Sequence, residues 1–254
     1  MNYNLLICLD LGNSCATYGI HRGGRLCATG YVPSVDIPDL MRIIRKSGTQ
    51  DISIDYMICS VVPDLTRKLV ASIKKLRNTD KVFVIGKNLR FRFPMRYSSK
   101  SLGADRLVNL YGARLLYKAP CLIVDFGTAI TFDYLSRSGT FEGGLICPGV
   151  ELSAKALSEK AALLPSLTKI EAARSLLGRG TKAAMCAGLL NGFGALADGL
   201  IDRFRKEYDR QIKVIATGGF STRIAPYVHR IDVVDPLHTL KSLALIYKNE
   251  VGEA

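Results

Sequence analysis

Two carboxylates, Asp10 and Asp125, follow short apolar runs and stand immediately before glycine-containing turns. The first turn reads Asp10-Leu-Gly-Asn-Ser14 and the second reads Asp125-Phe-Gly-Thr128. A carboxylate at a strand end can hold a cation directly or through water, and a nearby glycine lets a phosphate approach the backbone. The hydroxyl and amide side chains that follow can donate hydrogen bonds to phosphate oxygens. Two such segments, the second in the other half of the chain, indicate a duplicated phosphate-binding domain.

Strands and helices that alternate along the chain must position these two turns. The apolar runs Leu5–Leu9 and Leu122–Val124 have strand length, and Gly23-Gly24 is a strong hairpin signal after the first of them. Helices are predicted after the N-cap Asp36, from Pro63, after Gly103, from Lys182 and from His238. Strands alternating with helices after an initial meander predict an α/β fold with mixed sheets flanked by helices.

The chain of 254 residues is long enough for two domains, each of roughly 100–150 residues. We expect the boundary near Lys118-Ala-Pro120, which divides the chain into residues 1–118 and 119–254. Because no low-complexity linker separates the halves, the domains are expected to pack directly. The last helix is expected to pack back on the first domain.

An acidic and a basic residue stand side by side in Gly103-Ala-Asp-Arg106, where a helix is predicted to begin. In a structural interpretation, Asp105 stabilises the positive end of the helix dipole and Arg106 pairs with a neighbouring carboxylate. In a catalytic interpretation, Asp105 accepts a proton from a substrate hydroxyl and Arg106 binds a substrate carboxylate through two hydrogen bonds. The two residues by themselves leave both interpretations open.

Glycines in two further segments also allow two interpretations each. Gly143, Gly144 and Gly149 indicate either bulges and a tight turn or a backbone surface against a bound ligand. The long helix predicted over Lys182 to Tyr208 contains glycines at positions 188, 192, 194 and 199, which lower its helix propensity. Close helix packing explains them, either within the chain or against a symmetry mate.

Composition and cysteine usage narrow the class of protein. No apolar run approaches the roughly 20 residues that cross a bilayer, and no signal-peptide pattern opens the chain. The seven cysteines are scattered, without a close pair at metal-ligand spacing. We therefore expect reduced, mostly buried thiols in a cytoplasmic protein without a membrane partner.

The net charge of +13 raises the question of nucleic-acid binding. Lys and Arg are dispersed, mostly on the polar faces of predicted helices, and the densest segment is Lys87 to Lys100. Its interleaved Phe91 and Phe93 allow base stacking, but an edge strand with charged outward residues has the same pattern. Attraction of an anionic substrate such as ATP explains part of the charge, so nucleic acid is not an expected partner.

Five motifs, taken in order, resemble those of the type III pantothenate kinases, members of the acetate and sugar kinase/actin superfamily. They are Asp10-Leu-Gly-Asn-Ser14, Gly103-Ala-Asp-Arg106, Asp125-Phe-Gly-Thr128-Ala-Ile-Thr131, Gly143-Gly-Leu-Ile-Cys-Pro-Gly149 and Thr217-Gly-Gly219. The resemblance covers nearly the whole chain. It implies two duplicated ribonuclease H-like domains of the actin-like ATPase type. It also implies ATP-dependent phosphorylation of pantothenate to 4'-phosphopantothenate, the first step of coenzyme A biosynthesis.

The resemblance further implies roles for individual residues. Asp105 is the base, Asp125 holds a monovalent cation (K⁺ or NH₄⁺), and Mg²⁺ lies near Asp10, directly or through water. ATP is bound by Asp10, Leu11, Gly12, Asn13, Ser14, Cys15, Ala16, Thr17 and Thr128. Pantothenate is bound by Tyr97, Gly103, Ala104, Asp105, Arg106 and Thr181. A homodimer with substrate pockets near its two-fold contact is implied as well.

Some positions depart from the family pattern. Ser14 stands where Thr is usual, which keeps the hydroxyl, and Ile130 replaces a common Thr, which removes one potential phosphate donor. Ser242 stands where Gly is common, and Tyr97 lies one position off the family's substrate tyrosine. None of these changes removes an acid or the motif arginine, so we expect an active enzyme.

Two other functions stay open at this point. One is a catalytically silent regulator on the same scaffold, contacting nucleic acid through its basic surface. The other is a different small-molecule kinase of the superfamily, acting on a sugar or a carboxylic acid. A P-loop kinase is excluded, because the chain has no Gly-x-x-x-x-Gly-Lys-[Ser/Thr] sequence.

Overall fold

A computed structural model describes residues 5–33, 36–47, 53–98 and 101–252. The chain forms two compact units. Unit 1 takes the chain up to Phe93, then Ser98–Gly112 and the segment from Thr239. Unit 2 takes Pro94–Tyr97 and Ala113–His238. The domain boundary expected between residues 118 and 119 stays a prediction.

Unit 1 contains a mixed sheet of five strands in the order β3-β2-β1-β4-β5. Strands β1, β2 and β3 form an antiparallel meander, whereas β4 runs parallel to β1 and β5 parallel to β4. Their bounds are β1 Leu5–Leu11, β2 Cys15–Arg22, β3 Arg25–Pro33, β4 Ile54–Ser60 and β5 Lys81–Val84. The predicted hairpin is confirmed between β2 and β3, where Gly23 and Gly24 both have positive φ, 55° and 76°. Glycine adopts that left-handed conformation without a steric penalty.

Unit 2 contains a second sheet of five strands in the order β10-β9-β6-β7-β8. When it is read from the other edge, β8, β7, β6, β9 and β10 correspond to β3, β2, β1, β4 and β5 of unit 1. Strands β6, β7 and β8 form the antiparallel meander, β9 runs parallel to β6, and β10 runs parallel to β9. The bounds are β6 Cys121–Phe126, β7 Ala129–Leu135, β8 Phe141–Pro148, β9 Lys213–Thr217 and β10 Val233–Val234. The shared strand order and directions confirm the predicted α/β duplication.

Seven α-helices accompany the two sheets in the described parts of the chain. They are α1 Ile37–Ser47, α2 Pro63–Leu76, α3 Ala104–Leu116, α4 Val150–Lys160, α5 Thr181–Glu207, α6 Ser221–Ile224 and α7 His238–Ile246. Asp36 caps α1 as predicted, since its Oδ1 accepts a hydrogen bond of 3.2 Å from the backbone N–H of Asp39. The four-residue α6 and the two-residue β10 were not predicted.

Each unit has its own apolar core. In unit 1, α1 and α2 bury residues such as Leu40 and Leu69 against β1 and β4. In unit 2, the core joins alternate residues of β6, β7 and β9 to α4, α5 and α6. Residues Leu122, Val124 and Phe126 point into that core. Because side chains alternate along a strand, Ile123 and Asp125 must face the opposite side of the sheet.

Helix α5 spans 27 residues and is apolar enough, by length and composition, to cross a membrane. The expectation that no run of that length exists was therefore wrong. One such helix is weak evidence of a membrane span, because the core helix of a soluble protein meets the same criterion. Helix α5 contributes Leu189, Ala197 and Ile201 to the core of unit 2.

The structure bears on the interpretations of the glycines in β8 and in α5. The bulge interpretation is confirmed at Gly143, which has φ 136° where the β7–β8 register shifts. In α5, a Cβ on Gly194 would lie 2.1 Å from the carbonyl oxygen of Tyr227, so close packing within the chain requires this glycine. Gly188, Gly192 and Gly199 have nothing within 4 Å of an added Cβ.

The basic segment from Lys87 is not an edge strand, so that interpretation was wrong. Up to Ser98 the described residues form only isolated bridges, at Leu89 and Met95; Lys100 lies outside the described residues. Phe93 is buried, and the ring of Phe91 packs edge-on against Tyr111 with centroids 5.0 Å apart. Both aromatic rings are therefore engaged in packing within the protein.

Candidate active site

The first carboxylate turn is a tight hairpin between β1 and β2. Asp10 lies near the end of β1, opposite Thr17 on β2 and Cys59 on β4. The backbone N–H of Gly12 donates to the carbonyl of Cys15 at 3.0 Å and closes the turn. Asn13 and Ser14 are exposed at its tip. Backbone and side-chain donors therefore lie directly beside the carboxylate.

Not every residue predicted to bind ATP presents its side chain in this turn. Leu11 and Ala16 are fully buried in the core of unit 1, so only their backbone could contact a nucleotide. Thr17 and Cys15 are half-buried. Asn13 and Ser14 at the tip are the residues of the predicted ATP segment with exposed side chains, and Asp10 is half-buried like Cys15 and Thr17.

Asp10 is electrostatically strained. Burial disfavours its carboxylate, the negative charge of Asp105 adds to that effect, and together they raise the pKa of Asp10 to about 7. A hydrogen bond from the Cys59 thiol acts in the opposite direction and lowers the pKa. Unit 1 therefore brings two predicted site residues, Asp10 and Asp105, within electrostatic reach of each other.

Asp105 occupies the first turn of α3. Its Oδ1 accepts a hydrogen bond of 2.8 Å from the backbone N–H of Arg106. A Cβ on Gly103 would lie 2.4 Å from the same oxygen, so the glycine leaves room for the carboxylate. Ala104 begins the helix, and the Arg106 side chain is buried with 6% exposure. This geometry suits a helix-terminal acid and also holds the carboxylate in one orientation.

The second carboxylate turn, in unit 2, follows β6. Asp125 is half-buried and lies opposite Thr131 on β7 and Thr217 on β9. Gly218 has φ 92°, and a Cβ there would lie 2.2 Å from Asp125 Oδ1. The carboxylate therefore packs directly against the Cα of Gly218, the first glycine of the predicted Thr-Gly-Gly motif.

Gly149 supports the turn that carries Thr128. Gly127 and Thr128 are exposed, and the N–H of Gly149 donates to the carbonyl of Thr128 at 3.0 Å. A Cβ on Gly149 would lie 2.3 Å from that carbonyl oxygen and 2.4 Å from the carbonyl oxygen of Gly127. Gly149 itself is extended, with φ −74° and ψ 162°, so close packing of two backbone segments accounts for this glycine and not a tight turn.

The residues predicted to bind pantothenate fall into both units. Gly103 to Arg106 belong to unit 1. Tyr97 belongs to unit 2, where its ring lies 5.3 Å from that of Phe141. Thr181 begins α5 in unit 2 and is exposed.

Two residues beside the carboxylates were missed by the sequence analysis. Cys59 donates its thiol hydrogen to Asp10, and Thr217 presents a buried hydroxyl beside Asp125. A signal existed for Thr217, because it opens the Thr-Gly-Gly motif. Cys59 carried none, because the pairing of β4 with β1 is not visible in local sequence.

The donor sets around the two carboxylates limit which metal ions they suit. Within residues 5–33, 36–47, 53–98 and 101–252, no three His, Cys, Asp or Glu side chains cluster as a metal site. One carboxylate suits a cation that completes its shell with phosphate oxygens and water, as Mg²⁺ commonly does. A dedicated transition-metal centre would need several such ligands.

Comparison of the sequence with known proteins identifies the family to which the chain belongs. The profile described as type III pantothenate kinase matches residues 6–203, which include both carboxylate turns and Asp105. A curated type III pantothenate kinase from Dehalococcoides mccartyi is 35% identical over 252 residues, covering 96% of this chain and 97% of the relative.

The chain belongs to the type III pantothenate kinase family.

Solved structures agree on the fold of this family member. A protein from Campylobacter jejuni assigned to the Baf family of transcriptional activators matches with TM-score 0.59 and 22% identity, covering 95% of this chain and 97% of the other. The activator of the 2-hydroxyisocaproyl-CoA dehydratase from Clostridium difficile, with bound ADPNP, matches with TM-score 0.56 and 14% identity, covering 98% and 96%. At these identities the likeness shows the fold alone. The actin-like ATPase fold is confirmed, and the family makes the chain an ATP-using kinase.

Two departures from the type III pantothenate kinase pattern now have a physical account. Ile130 is fully buried in the core of unit 2, so a side chain at this position faces the core and the expected loss of a phosphate donor was wrong. Ser242 on α7 is accommodated by Gly112 on α3, where a Cβ would lie 1.7 Å from the Ser242 hydroxyl oxygen.

Proposed function

We propose that this protein transfers the γ-phosphoryl group of ATP to the primary hydroxyl of pantothenate, which yields 4'-phosphopantothenate in the first step of coenzyme A biosynthesis. The observation that carries the proposal is the approach of Asp10 and Asp105 in unit 1. One carboxylate follows a phosphate-type turn and the other begins a helix inside the family motif. Phosphoryl transfer needs such positioning and charge neutralisation more than covalent chemistry.

We assign the phosphates of ATP to the turn after β1. Its exposed tip, Asn13 and Ser14, offers amide and hydroxyl donors, and the glycine at position 12 allows close approach to the backbone. Thr128, at the equivalent turn of unit 2, is the predicted second contact to ATP. The remaining predicted residues, Leu11, Cys15, Ala16 and Thr17, support the turn through the β1–β2 pairing.

We assign proton transfer to Asp105, which accepts the proton of the substrate hydroxyl as the hydroxyl oxygen attacks the γ-phosphorus. Its orientation is held by the N–H of Arg106. Arg106 is the proposed partner of the pantothenate carboxylate, because a planar guanidinium binds a carboxylate through two parallel hydrogen bonds. Tyr97, Gly103, Ala104 and Thr181 complete the proposed substrate contacts.

Two cations belong to the proposal. Mg²⁺, held near Asp10 directly or through water, supplies neutralisation of the phosphate charge. A monovalent cation, K⁺ or NH₄⁺, is assigned to Asp125. The lack of a cluster of three ligating side chains among the described residues supports cations that share their shell with phosphate or water.

A homodimer is the proposed assembly. Gly188 and Gly192 of α5, together with Leu157 and Met185, line an apolar groove of about 810 Å³ that also includes Thr181. Nothing within the described chain fills the space above these glycines, which supports coverage by a second copy.

Light scattering should give twice the mass of 27.8 kDa, and Gly192→Arg should lower it to that of one chain. The control Gly199→Arg lies outside the groove and should stay dimeric. A monomeric wild-type protein would end this part of the proposal.

A coupled ADP-release assay tests the function. With Mg²⁺ and K⁺ present, we expect ATP turnover with pantothenate and only background release with simple sugars or acetate. Turnover with a sugar or acetate instead would assign the chain to another kinase of the superfamily. No turnover with any acceptor would favour the silent regulator.

A further inference from the structure

Asp125 belongs to a row of three oxygen-bearing side chains that crosses unit 2. Its register partners are Thr131 on β7 and Thr217 on β9, so the three residues lie on adjacent strands at one level of the sheet. Register partners present their side chains on the same face, at a strand spacing of about 4.8 Å. This face is opposite the apolar core of unit 2, which takes Val124 and Ala216.

The Thr217 hydroxyl has an unusual environment. Thr217 is fully buried, and its Oγ1 has no hydrogen-bond partner in the protein. Buried hydroxyl groups are almost always hydrogen-bonded, because an unsatisfied one loses its water without compensation. Thr131, on the other side of Asp125, donates its hydroxyl to Asp133 Oδ2 at 3.3 Å. The orphan group is therefore specific to the β9 side of the row.

The Asp125 carboxylate lies toward that same side. The Cα of Gly218 leaves so little space that an added Cβ would lie 2.2 Å from Asp125 Oδ1. Gly218 directly follows Thr217, so the carboxylate and the residue that carries the orphan hydroxyl both lie where β9 ends.

We propose that Thr217 is a ligand of the monovalent cation at Asp125, with its hydroxyl oxygen and the carboxylate binding the ion together. The inference rests on the proposed function only in its assignment of a monovalent cation to Asp125. An oxygen lone pair on the cation satisfies the buried hydroxyl, and the cation neutralises the carboxylate. The row itself carries a single negative charge, and the nearby Asp133 accepts the Thr131 hydroxyl. Among the described residues no three metal-ligating side chains cluster, so the row suits a monovalent ion better than a divalent one.

Unit 1 offers the matched comparison. Cys59 occupies on β4 the place that Thr217 occupies on β9, opposite Asp10. A thiol is a soft ligand that hard cations such as K⁺ do not select, and this one donates its hydrogen to Asp10 instead. The proposal therefore places cation selectivity in unit 2 and not in unit 1.

Thermal unfolding in KCl, NaCl and choline chloride at equal ionic strength, with Mg²⁺ and a non-hydrolysable ATP analogue, tests the assignment without requiring activity. We expect KCl to raise the melting temperature of the wild-type protein above its value in NaCl. In Thr217→Val, the K⁺ concentration for half-maximal effect should rise at least about tenfold, and in Thr217→Ser it should stay near wild type. Cys59→Ser, the unit 1 control, should titrate K⁺ like the wild type.

Thr217→Val should fold, because the change removes only the orphan hydroxyl and keeps the branched shape. If it does not, Thr217→Cys, which recreates the unit 1 row, must show the same loss of K⁺ response. An unchanged K⁺ midpoint in these variants, as expected if ordered water satisfies the hydroxyl, would overturn the inference. A wild-type protein without any difference between K⁺ and Na⁺ would overturn it as well. Turnover of pantothenate, measured with ATP on separate aliquots of the same protein preparations, keeps the two questions separate, because kinase activity with an unchanged midpoint rejects only the Thr217 assignment. A K⁺ response without turnover rejects only the proposed function.

Discussion

The rows of side chains around Asp10 and Asp125 occupy equivalent places in two sheets of the same strand order, yet their neighbours differ in chemistry. In unit 1 the row is Thr17, Asp10 and Cys59; in unit 2 it is Thr131, Asp125 and Thr217. The duplication has kept the carboxylate and changed the group on the parallel strand. A thiol that donates to the carboxylate differs from an orphan hydroxyl that can face a cation. Under the proposed function, the same arrangement would serve Mg²⁺ and the ATP phosphates in one unit and a monovalent cation in the other.

The residues that directly follow Cys59 on β4 and Thr217 on β9 are held in different ways; we call these two positions the exits from the rows. In unit 1, β4 continues through Ser60, whose hydroxyl oxygen accepts hydrogen bonds from the backbone N–H of Val62 at 3.0 Å and from the Thr66 hydroxyl at 2.6 Å. In unit 2, β9 ends at Thr217 and the chain turns at Gly218 with φ 92°. The segment after β4 is held by hydrogen bonds to the Ser60 side chain. The segment after β9 combines the glycine conformation with a hydrogen bond of 2.7 Å from the Ser221 hydroxyl to the carbonyl of Gly218. Unit 1 also differs from unit 2 because a further carboxylate, that of Asp105, lies within electrostatic reach of Asp10.

The largest expected effect comes from removing the proposed base in unit 1. Asp105→Asn should lower kcat by roughly 10²–10⁴-fold, the usual contribution of acid–base catalysis, because an amide cannot accept the proton. The affinity for ATP should barely change. Steady-state kinetics and a nucleotide-binding titration on the same variant measure both quantities. Turnover near the wild-type rate with normal ATP binding would reduce Asp105 to a helix-terminal acid.

The next effect concerns the exits from the two rows. Gly218→Ala should destabilise the protein by about 2–4 kcal/mol, since it combines a left-handed conformation with a clash against Asp125 and Phe126. The matched change in unit 1, Ser60→Ala, removes hydrogen bonds without a clash and should cost about 1 kcal/mol. Urea unfolding of the two variants measures the difference. Equal losses would show that the two exits are held equally rigidly.

The third prediction separates the rows by their response to ions. Asp125→Ala should abolish the higher rate in K⁺ or NH₄⁺ relative to Na⁺ and lower activity in K⁺ by about tenfold, because the proposed site loses its negative charge. Asp10→Ala should also reduce activity, but its residual rate should keep the preference for K⁺. Rates in the three chloride salts at equal ionic strength are the measurement. Loss of the preference in the Asp10 variant would mean that the rows are not specialised.

Local signals in the sequence predicted most of the fold and part of the site. Gly23-Gly24, Asp36 and Pro63 each act within a few residues, so the hairpin and the starts of α1 and α2 could be predicted from neighbours in the chain. The carboxylate turns were visible for the same reason, because Asp, Gly and a hydroxyl follow each other directly. The short β10 and α6 lack such signals, since two and four residues carry no periodicity.

Strand register accounts for what the sequence did not reveal. Which side chains flank Asp10 and Asp125 depends on how β4 and β9 align with their parallel neighbours, and parallel partners are far apart in the chain. Cys59 and Thr217 were therefore missed. Ile130 was misinterpreted because its place in the motif was considered without the alternation of β7, which directs it into the core with Phe132.

The smallest expected effect concerns the charge of Asp10 itself. Burial and Asp105 raise the pKa of Asp10 from 3.8 to about 7, so the folded protein holds this proton more tightly than the unfolded chain does. Between those two values the native state binds more protons, and its stability therefore falls as pH rises from about 4 to about 7.

Asp10→Asn removes the charge but keeps an acceptor for the Cys59 thiol. Without Mg²⁺ or nucleotide, the variant should match the wild type near pH 4 and be more stable by about 1 kcal/mol near pH 8, after allowance for solvent screening of a half-buried group. Urea unfolding at the two pH values measures this gap. A gap that does not change with pH would mean that the negative charge of Asp10 costs the fold nothing, and the carboxylate of unit 1 would then be held no differently from an uncharged side chain.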